Sequence, residues 1–420
     1  MQKAAVVAQG MRWRIPLVLG VTFFVNYLDR NNLALALPQI ARDFGWGDKE
    51  LASNGQFLLA AFFLTYGLSN MFLSPLAERF GPKRSVLVAV AAFSICTILS
   101  APLGQIFAAL LGLRLLLGVG EGIHVPMLGA ITSRWFPLHE RSRANAIWNV
   151  GILLATALGP LLLVPLISAF GWRIAFAMLG AIGLLISVPL VWLVVDDRPR
   201  SIAALNEDEP LPVEKPVATV RGPLFNLRST SYVRDVRFWL IVVAGMLNAF
   251  CGFGVLNWLP TYFTRAKGIN FDQLGWPLAL VFTSGIVSVF LMAYLGDRLN
   301  RRALLTSIGL GIAGVLVFFA AQATSLALLV SFFAAAVFCQ SAYTAHEHAL
   351  VQRLLPAEQV GAGTGLYNGL SVLFGGVGGS LIPGTIVAIT GNFNAGILSI
   401  MVGAFATALV LALLARIIHY

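Results

Sequence analysis

Arg114-Leu115-Leu116-Leu117-Gly118-Val119-Gly120-Glu121-Gly122-Ile123-His124 sets an arginine and a glutamate seven residues apart inside a long apolar run. Seven residues are almost two turns of an α-helix, so the two charges share a face. If the run spans a bilayer, both charges lie in the hydrocarbon zone. Each then costs about 2.5–3.5 kcal/mol unless it faces the protein interior. Function is expected where these two side chains point.

The rest of the chain fits a membrane setting. Of 420 residues, 58% are hydrophobic and 11% charged, with a mean hydropathy of +0.84. Soluble domains carry about 25% charged residues. Composition therefore excludes the soluble enzyme classes, and at about 20 apolar residues per span the length accommodates roughly twelve helices. Apolar windows fall between residues 15 and 417, six on each side of a polar stretch at 196–235 that holds Asn206-Glu207-Asp208-Glu209-Pro210. That stretch reads as a cytoplasmic linker, with a short surface helix near 229–235. The expected organisation is a six-helix bundle over 1–195, the linker over 196–235, and a second six-helix bundle over 236–420. The fold class is all-α integral membrane, with twelve transmembrane helices in two pseudo-symmetric bundles around a central cavity.

Charge placement gives an orientation. Arg79, Lys83 and Arg84, then Arg134, Arg141 and Arg143, then Arg298, Arg301 and Arg302, then Arg353 all fall on even-numbered connections. Positive-inside reasoning puts these connections and both termini in the cytoplasm of a cell or inner membrane, and accounts for the net charge of +10 without nucleic acid. The first apolar stretch begins after Arg12 and Arg14 and contains Asp29-Arg30, so it reads as a first membrane helix and not as a cleaved leader. Cys96, Cys251 and Cys339 are far apart inside apolar segments and have neither metal-ligand nor disulfide spacing. No metal or cofactor is expected, and a monomer is.

The two halves resemble each other. Glu78 and Asp297, Pro137 and Pro356, and Asn149 and Asn368 are each 219 residues apart. One spacing at three anchors points to duplication, a common way of building transporters. At this spacing Glu121 falls on Gln340, so the charge is concentrated in the first half.

Ser74-Pro-Leu-Ala-Glu78-Arg79-Phe-Gly81-Pro-Lys83-Arg84 and Tyr294-Leu-Gly296-Asp297-Arg298-Leu-Asn-Arg301-Arg302 resemble the two loop copies of the major facilitator superfamily. Asn26-Tyr27-Leu28-Asp29-Arg30, Arg114…Gly118…Glu121, Arg134-Trp135-Phe136-Pro137…Glu140-Arg141 and Trp258-Leu259-Pro260-Thr261-Tyr262 narrow the resemblance to the anion:cation symporter family, which includes hexuronate, galactonate and sialin-type carriers. The chain departs from that pattern at Ser74, at Glu78, at Gly122-Ile123-His124-Val125-Pro126, and at Leu373-Phe374-Gly375-Gly376, where a sugar-acid carrier would have an asparagine. The resemblance implies proton-coupled symport of a small organic carboxylate by alternating access. An exporter or uniporter of an organic anion is the alternative within transport, and a non-transporting membrane sensor is the alternative outside it. No enzyme activity is implied.

Asp29 and Glu121 lie about halfway along helices one and four, near the bilayer midplane where such carriers bind substrate. Burial and a nearby arginine act on a carboxyl in opposite senses, so both residues are candidates for the coupling proton. Alternatively, each pairs with Arg30 or Arg114 only to hold helices together. Arg114 is a candidate anion clamp because a guanidinium can bind a carboxylate bidentately; its alternative is a permanent pair with Glu121 or Asp29. Arg30, Tyr66, Asn149, Asn368 and His346 complete the candidate substrate contacts, and His124 and Glu347 are candidate relays. In His346-Glu347-His348 the histidines are two apart and share no helix face, which excludes the zinc-protease pattern. Glu78, Arg79, Arg84, Arg134, Arg141, Asp297 and Arg298 sit at expected cytoplasmic helix ends and read as gating latches. The expected partners are a small organic anion, a proton and the lipid bilayer.

Overall fold

The computed structural model describes residues 12–197, 231–299, 301–355 and 360–418. The core of the expected linker, 198–230, lies outside the described residues, and the expected surface helix is a single 3-10 turn at Ser231–Arg234. Everything else of any length is α-helix, because each apolar segment must satisfy its own backbone hydrogen bonds in lipid.

The helices are α1 (Arg14–Phe44), α2 (Asp48–Phe80), α3 (Pro82–Leu103), α4 (Phe107–Trp135), α5 (138–170), α6 (172–194), α7 (Val236–Arg265), α8 (Gly275–Leu299), α9 (Arg302–Gln322), α10 (Leu326–Leu354), α11 (Val360–Thr390) and α12 (Phe393–Ile417). α5 and α6 are hydrogen-bonded end to end and bend at Gly171, whose φ of 78° and ψ of 158° no L-residue adopts without strain. Local chemistry sets the other ends. Glu50 accepts from Gly47 N–H to start α2, the Asp197 carboxylate accepts from Lys83 N–H to start α3, and Asp235 and Asn392 cap α7 and α12. α2 and α6 each contain a π-turn, at Ser69–Leu73 and Gly183–Ser187.

Ten helices among the described residues are long and apolar enough to cross a membrane. α5 and α6 count there as one stretch, Arg143–Val194, and α1 is not among the ten. α1 is 31 residues long, but Asn26, Asp29, Arg30, Asn31 and Asn32 interrupt its apolar character. Those five side chains are nonetheless all buried. Large apolar side chains such as Leu185, Trp276 and Ile389 instead face outward, more than two-thirds exposed, as lipid contact requires.

The duplication read from the sequence recurs in the packing. Thr65 and Ser69 of α2 donate to the Leu115 and Val119 carbonyls of α4. Ser284 and Ser288 of α8 donate to the Ala334 and Phe338 carbonyls of α10. Each of these atoms is 219 residues from its counterpart. The α2–α4 seam is tight: a Cβ on Gly122 would stand 2.5 Å from the Tyr66 carbonyl oxygen and 2.8 Å from Ser69 Cβ, so only glycine fits there.

Candidate functional site

The polar run on α1 meets the α4 motif in the protein interior. Asp29, Arg30, Arg114 and Glu121 are at most 5% exposed. Arg30 Nε donates to Glu121 Oε2 at 3.3 Å, the ion pair at the centre of the cluster. Arg30 Nη1 donates to the Tyr27 hydroxyl at 3.2 Å, and its Cζ stacks 4.5 Å from the Tyr27 ring and 4.3 Å from the Tyr66 ring. Arg114 lies with its Cζ 5.1 Å from the Phe62 ring. Asp29 pairs with neither arginine by direct contact. Both of its oxygens accept from Thr97 Oγ1 of α3 at 2.7 Å, and Oδ1 also accepts from Asn32 Nδ2 at 2.7 Å. Glu121 therefore pairs with Arg30 of another helix and not with Arg114 on its own face.

Hydrogen-bonding capacity is left over. Arg30 Nη2, Arg114 Nε and Glu121 Oε1 are buried with no partner among the described residues. Buried polar atoms are nearly always satisfied, so two arginine donors and a carboxylate oxygen left open at one locus are where a ligand or water would bind.

A cavity of about 360 Å³ lies beside this cluster. Tyr27 and Thr156 line it from the first half of the chain. Asn248, Gln340, Ser341, Thr344, Glu347, Tyr367, Asn368 and Ser371 supply its polar wall from α7, α10 and α11. Tyr27 is the link, since its side chain is on the cavity wall and its hydroxyl accepts from Arg30. The 219-residue spacing again sorts the chemistry. Asp29 corresponds to Asn248 and Glu121 to Gln340, and Gln340 Nε2 lies 3.3 Å from the Asn248 carbonyl oxygen and 3.4 Å from its Oδ1. Two acids in the first half are thus replaced by two touching amides in the second.

The sequence candidates divide accordingly. Asp29, Arg30, Arg114, Glu121 and Tyr66 come together in the buried cluster; Asn368 and Glu347 reach the cavity. Asn149 does not line the cavity, because its amide donates to the Asn145 carbonyl one turn back at 2.9 Å. His346 is turned away from the cavity: it lies against Gly296 of α8, with Nδ1 3.4 Å from Thr306 Oγ1 of α9. His124 Nε2 is 3.2 Å from Thr22 Oγ1 between Phe23 and Phe93, without contact to Glu121. Tyr27, Asn248 and Tyr367 are missing from the sequence candidates. The 219-residue spacing applied to Asp29 would have found Asn248.

The loop charges pair locally. Arg134 is 3.8 Å from Glu78, both partly exposed. Arg141 donates to the Ser133 and Phe136 carbonyls and closes the end of α4, and Arg298 reaches the Tyr294 hydroxyl at 3.5 Å. Arg79 and Arg84 are exposed, and the side chain of Asp297 lies outside the described residues. None of these pairs joins residues before 197 to residues after 231. Among the described residues, the side-chain hydrogen bonds and ion pairs that do so lie at the opposite helix ends, while apolar contacts such as Phe63 with Phe253 and Met71 with Gly369 run along the helices. Arg265 is 3.3 Å from Asp48, and Thr385 donates to Gln56 at 2.8 Å.

The fold and the site together describe a polytopic membrane protein with charged groups buried beside a cavity. The chain belongs to the Major Facilitator Superfamily, whose family model matches residues 19–271 and 262–419. It is 25% identical over 432 residues to the probable galactarate/D-glucarate transporter of Bacillus subtilis (strain 168), covering 96% of this chain and 91% of that protein. It is 26% identical over 313 residues to the probable anion transporter 4, chloroplastic, of Oryza sativa subsp. japonica, covering 71% of this chain but only 51% of that longer protein. In fold it matches a bacterial homolog of the human lysosomal transporter Spinster, in its inward-facing and unoccupied conformation, with a TM-score of 0.80, 19% identity and 97% of each chain covered. Its relatives are anion transporters, in keeping with the resemblance to the anion:cation symporter family.

Proposed function

We infer that this protein is a proton-coupled symporter of a small organic carboxylate that works by alternating access. The observation that carries the reading is the Arg30–Glu121 pair, buried yet tied through the Tyr27 hydroxyl to the wall of the cavity. An anion entering beside Tyr27 competes with Glu121 for Arg30 and meets the open donor of Arg114. Protonation of Glu121 releases Arg30 to the anion, so proton and anion bind together. Asp29 is the second proton site, and Thr97 and Asn32 hold whichever form it takes.

The architecture proposed is two six-helix bundles, α1–α6 and α7–α12, joined by the 196–235 linker. The twelve spans comprise the ten apolar stretches, α1 with its buried polar face, and the division of Arg143–Val194 at Gly171. The matched α2–α4 and α8–α10 hydrogen bonds support pseudo-symmetry. Both termini and the basic loops face the cytoplasm of the cell or inner membrane, and the carrier works as a monomer in the bilayer. Because the polar bonds between bundles gather at the ends away from the basic loops, the cavity opens to the cytoplasm. Glu78, Arg79, Arg84, Arg134, Arg141, Asp297 and Arg298 become inter-bundle latches in the opposite state.

The relative's printed substrates make galactarate and D-glucarate the first probes. Reconstituted protein should accumulate labelled D-glucarate when the outside is made acidic, and a protonophore should abolish accumulation. Uptake indifferent to the pH gradient would refute coupling and favour uniport.

A further inference from the structure

The cavity also presents a carboxylate that the buried cluster does not use. Glu347 of α10 lines the cavity with its side chain 23% exposed. Its Oε2 accepts from the Tyr367 hydroxyl of α11 at 2.9 Å. The Tyr367 hydroxyl lies 3.0 Å from that of Tyr343, which reaches the backbone carbonyl of Ile241 on α7 at 3.3 Å. Both tyrosines are at most 1% exposed. Tyr367 therefore ties one oxygen of Glu347 to α11, and behind it the Tyr343 hydroxyl gives its single hydrogen to either the Tyr367 oxygen or the Ile241 carbonyl. Oε1 is different: its neighbour is His348 Nε2 at 3.7 Å, beyond hydrogen-bond reach. Among the described residues, the titratable groups facing Glu347 are His348, Tyr367 and, one hydroxyl further, Tyr343. α7 supplies the Ile241 carbonyl, and His348 is the ion-pair neighbour of Glu347 among the described residues. At the duplication spacing its counterpart is the buried Leu128, so the carboxylate belongs to the second half alone.

An ionised carboxylate on the wall of an anion's cavity repels the anion, whereas a protonated one offers it a donor. We propose that Glu347 is a substrate-facing protonation site that admits an organic anion when neutral and excludes it when ionised. Oε1 takes the proton from cavity water and directs its O–H at the bound anion. Tyr367, backed by Tyr343, keeps donating to Oε2 and fixes the direction of that O–H. Tyr367 is thus a positioning residue. The proposal rests on the reading of the cavity as an anion's path.

Infrared pH-difference spectroscopy of the full chain in liposomes, without substrate, tests the titration directly. Acidification should raise a carboxylic-acid C=O band that Glu347→Gln removes. Tyr367→Phe should move that band to higher frequency, because the carbonyl oxygen loses its donor. Spectra identical in wild type and Glu347→Gln overturn the proposal. If Glu347→Gln does not fold, a Tyr367→Phe band left in place overturns it instead. Transport gives a second readout. Above its pKa one titrating group changes apparent affinity about tenfold per pH unit, so the slope of log KM for D-glucarate against pH should fall by about one in Glu347→Gln. An unchanged slope overturns the gating role. Wild-type protein that takes up no D-glucarate counts against the transport reading, and the infrared result still decides whether Glu347 titrates.

Discussion

Removing the two ends of the Arg30–Glu121 pair singly and together separates its structural from its functional part. At 3.3 Å and an effective dielectric constant of about 20, the gross attraction is about 5 kcal/mol. Neither residue has a second ion pair to fall back on, because Asp29 is held by Thr97 and Asn32. Taking away one partner strands a buried charge, and such truncations cost about 3–5 kcal/mol. Arg30→Gln leaves Glu121 stranded, and Glu121→Gln leaves Arg30 stranded. The double variant leaves neither end of the pair stranded, so its cost should fall well short of the sum, with a coupling energy near 3 kcal/mol, at the upper end of what contacting pairs show. Thermal unfolding of the four purified proteins in one detergent, followed by tryptophan fluorescence, measures the pattern. The midpoint should drop in each single variant and recover most of the way in the double. Uptake of D-glucarate should not recover, since the double variant has lost the guanidinium that meets the anion. Additive losses in the double variant would refute the pairing. Recovered uptake would refute the role of Arg30 in binding.

Tyr27→Phe should raise KM for D-glucarate roughly tenfold, about 1.4 kcal/mol, within the worth of a hydrogen bond to a charged group, while leaving the unfolding midpoint within a few degrees; an unchanged KM removes Tyr27 as the link to Arg30. Combining Asp48→Asn with Thr385→Val should increase labelling of a cysteine introduced at Thr156 by an impermeant maleimide added from outside. The change should be no more than about thirtyfold, because the exposed Asp48–Arg265 pair is worth under about 1 kcal/mol and the Thr385–Gln56 hydrogen bond about 1 kcal/mol; no change denies these contacts a closing role. At the start of α7, the hydrogen bonds from Arg237 hold the Asp235 carboxyl below its usual range. A folded-state pKa below the unfolded value of about 3.9 gives stability that is present above that pH and lost as pH falls through the folded value. Asp235→Ala should therefore lower the unfolding midpoint at neutral pH, by about 1 kcal/mol for the lost cap, and have less effect in strong acid.

Much of the helical framework was legible because each helix in lipid must be apolar, long and self-bonded, and those are properties of single segments. The places of the basic loops between the spans were legible from the sequence in the same way. The buried acids and arginines were legible for a related reason: a charge in an apolar run must find the interior. Their partners were not legible. Arg114 and Glu121 share a helix face, yet Glu121 accepts its hydrogen bond from Arg30 of α1, because helix rotation and tilt are set by packing against neighbours that spacing within α4 does not encode. Asp29 was read beside the arginines and is held instead by a threonine of α3. His346 looked available to the cavity from its neighbours in sequence, but the glycine at 296 leaves room for its ring on the far side of α10.

The duplication explains why the cavity is lined so unevenly. Both halves keep the same hydroxyl-to-carbonyl bonds, from Thr65 and Ser69 in the first and from Ser284 and Ser288 in the second. The functional positions have diverged in charge. Asp29 and Glu121 became, or came from, Asn248 and Gln340, and the amides face the cavity while the acids sit behind Tyr27. Two acids on each side would crowd four negative groups around an anion's path, and four amides would leave Arg30 and Arg114 without a carboxylate that could take up a proton beside them. An acid half and an amide half avoid both outcomes. At these four positions the first half changes charge while the second supplies neutral donors and acceptors, which leaves Glu347 as the second-half carboxylate on the cavity wall. The distinction has a consequence: Asn248→Asp should install in the second half the acid that the first half has, beside Gln340 and on the cavity wall. An ionised carboxylate there, with no arginine of the second half in contact among the described residues, should raise KM for D-glucarate by at least tenfold at about pH 8 and by much less at about pH 5, where more of the new acid is neutral. Equal loss at both pH values would mean that Asn248 matters for packing and not for the charge seen by the anion.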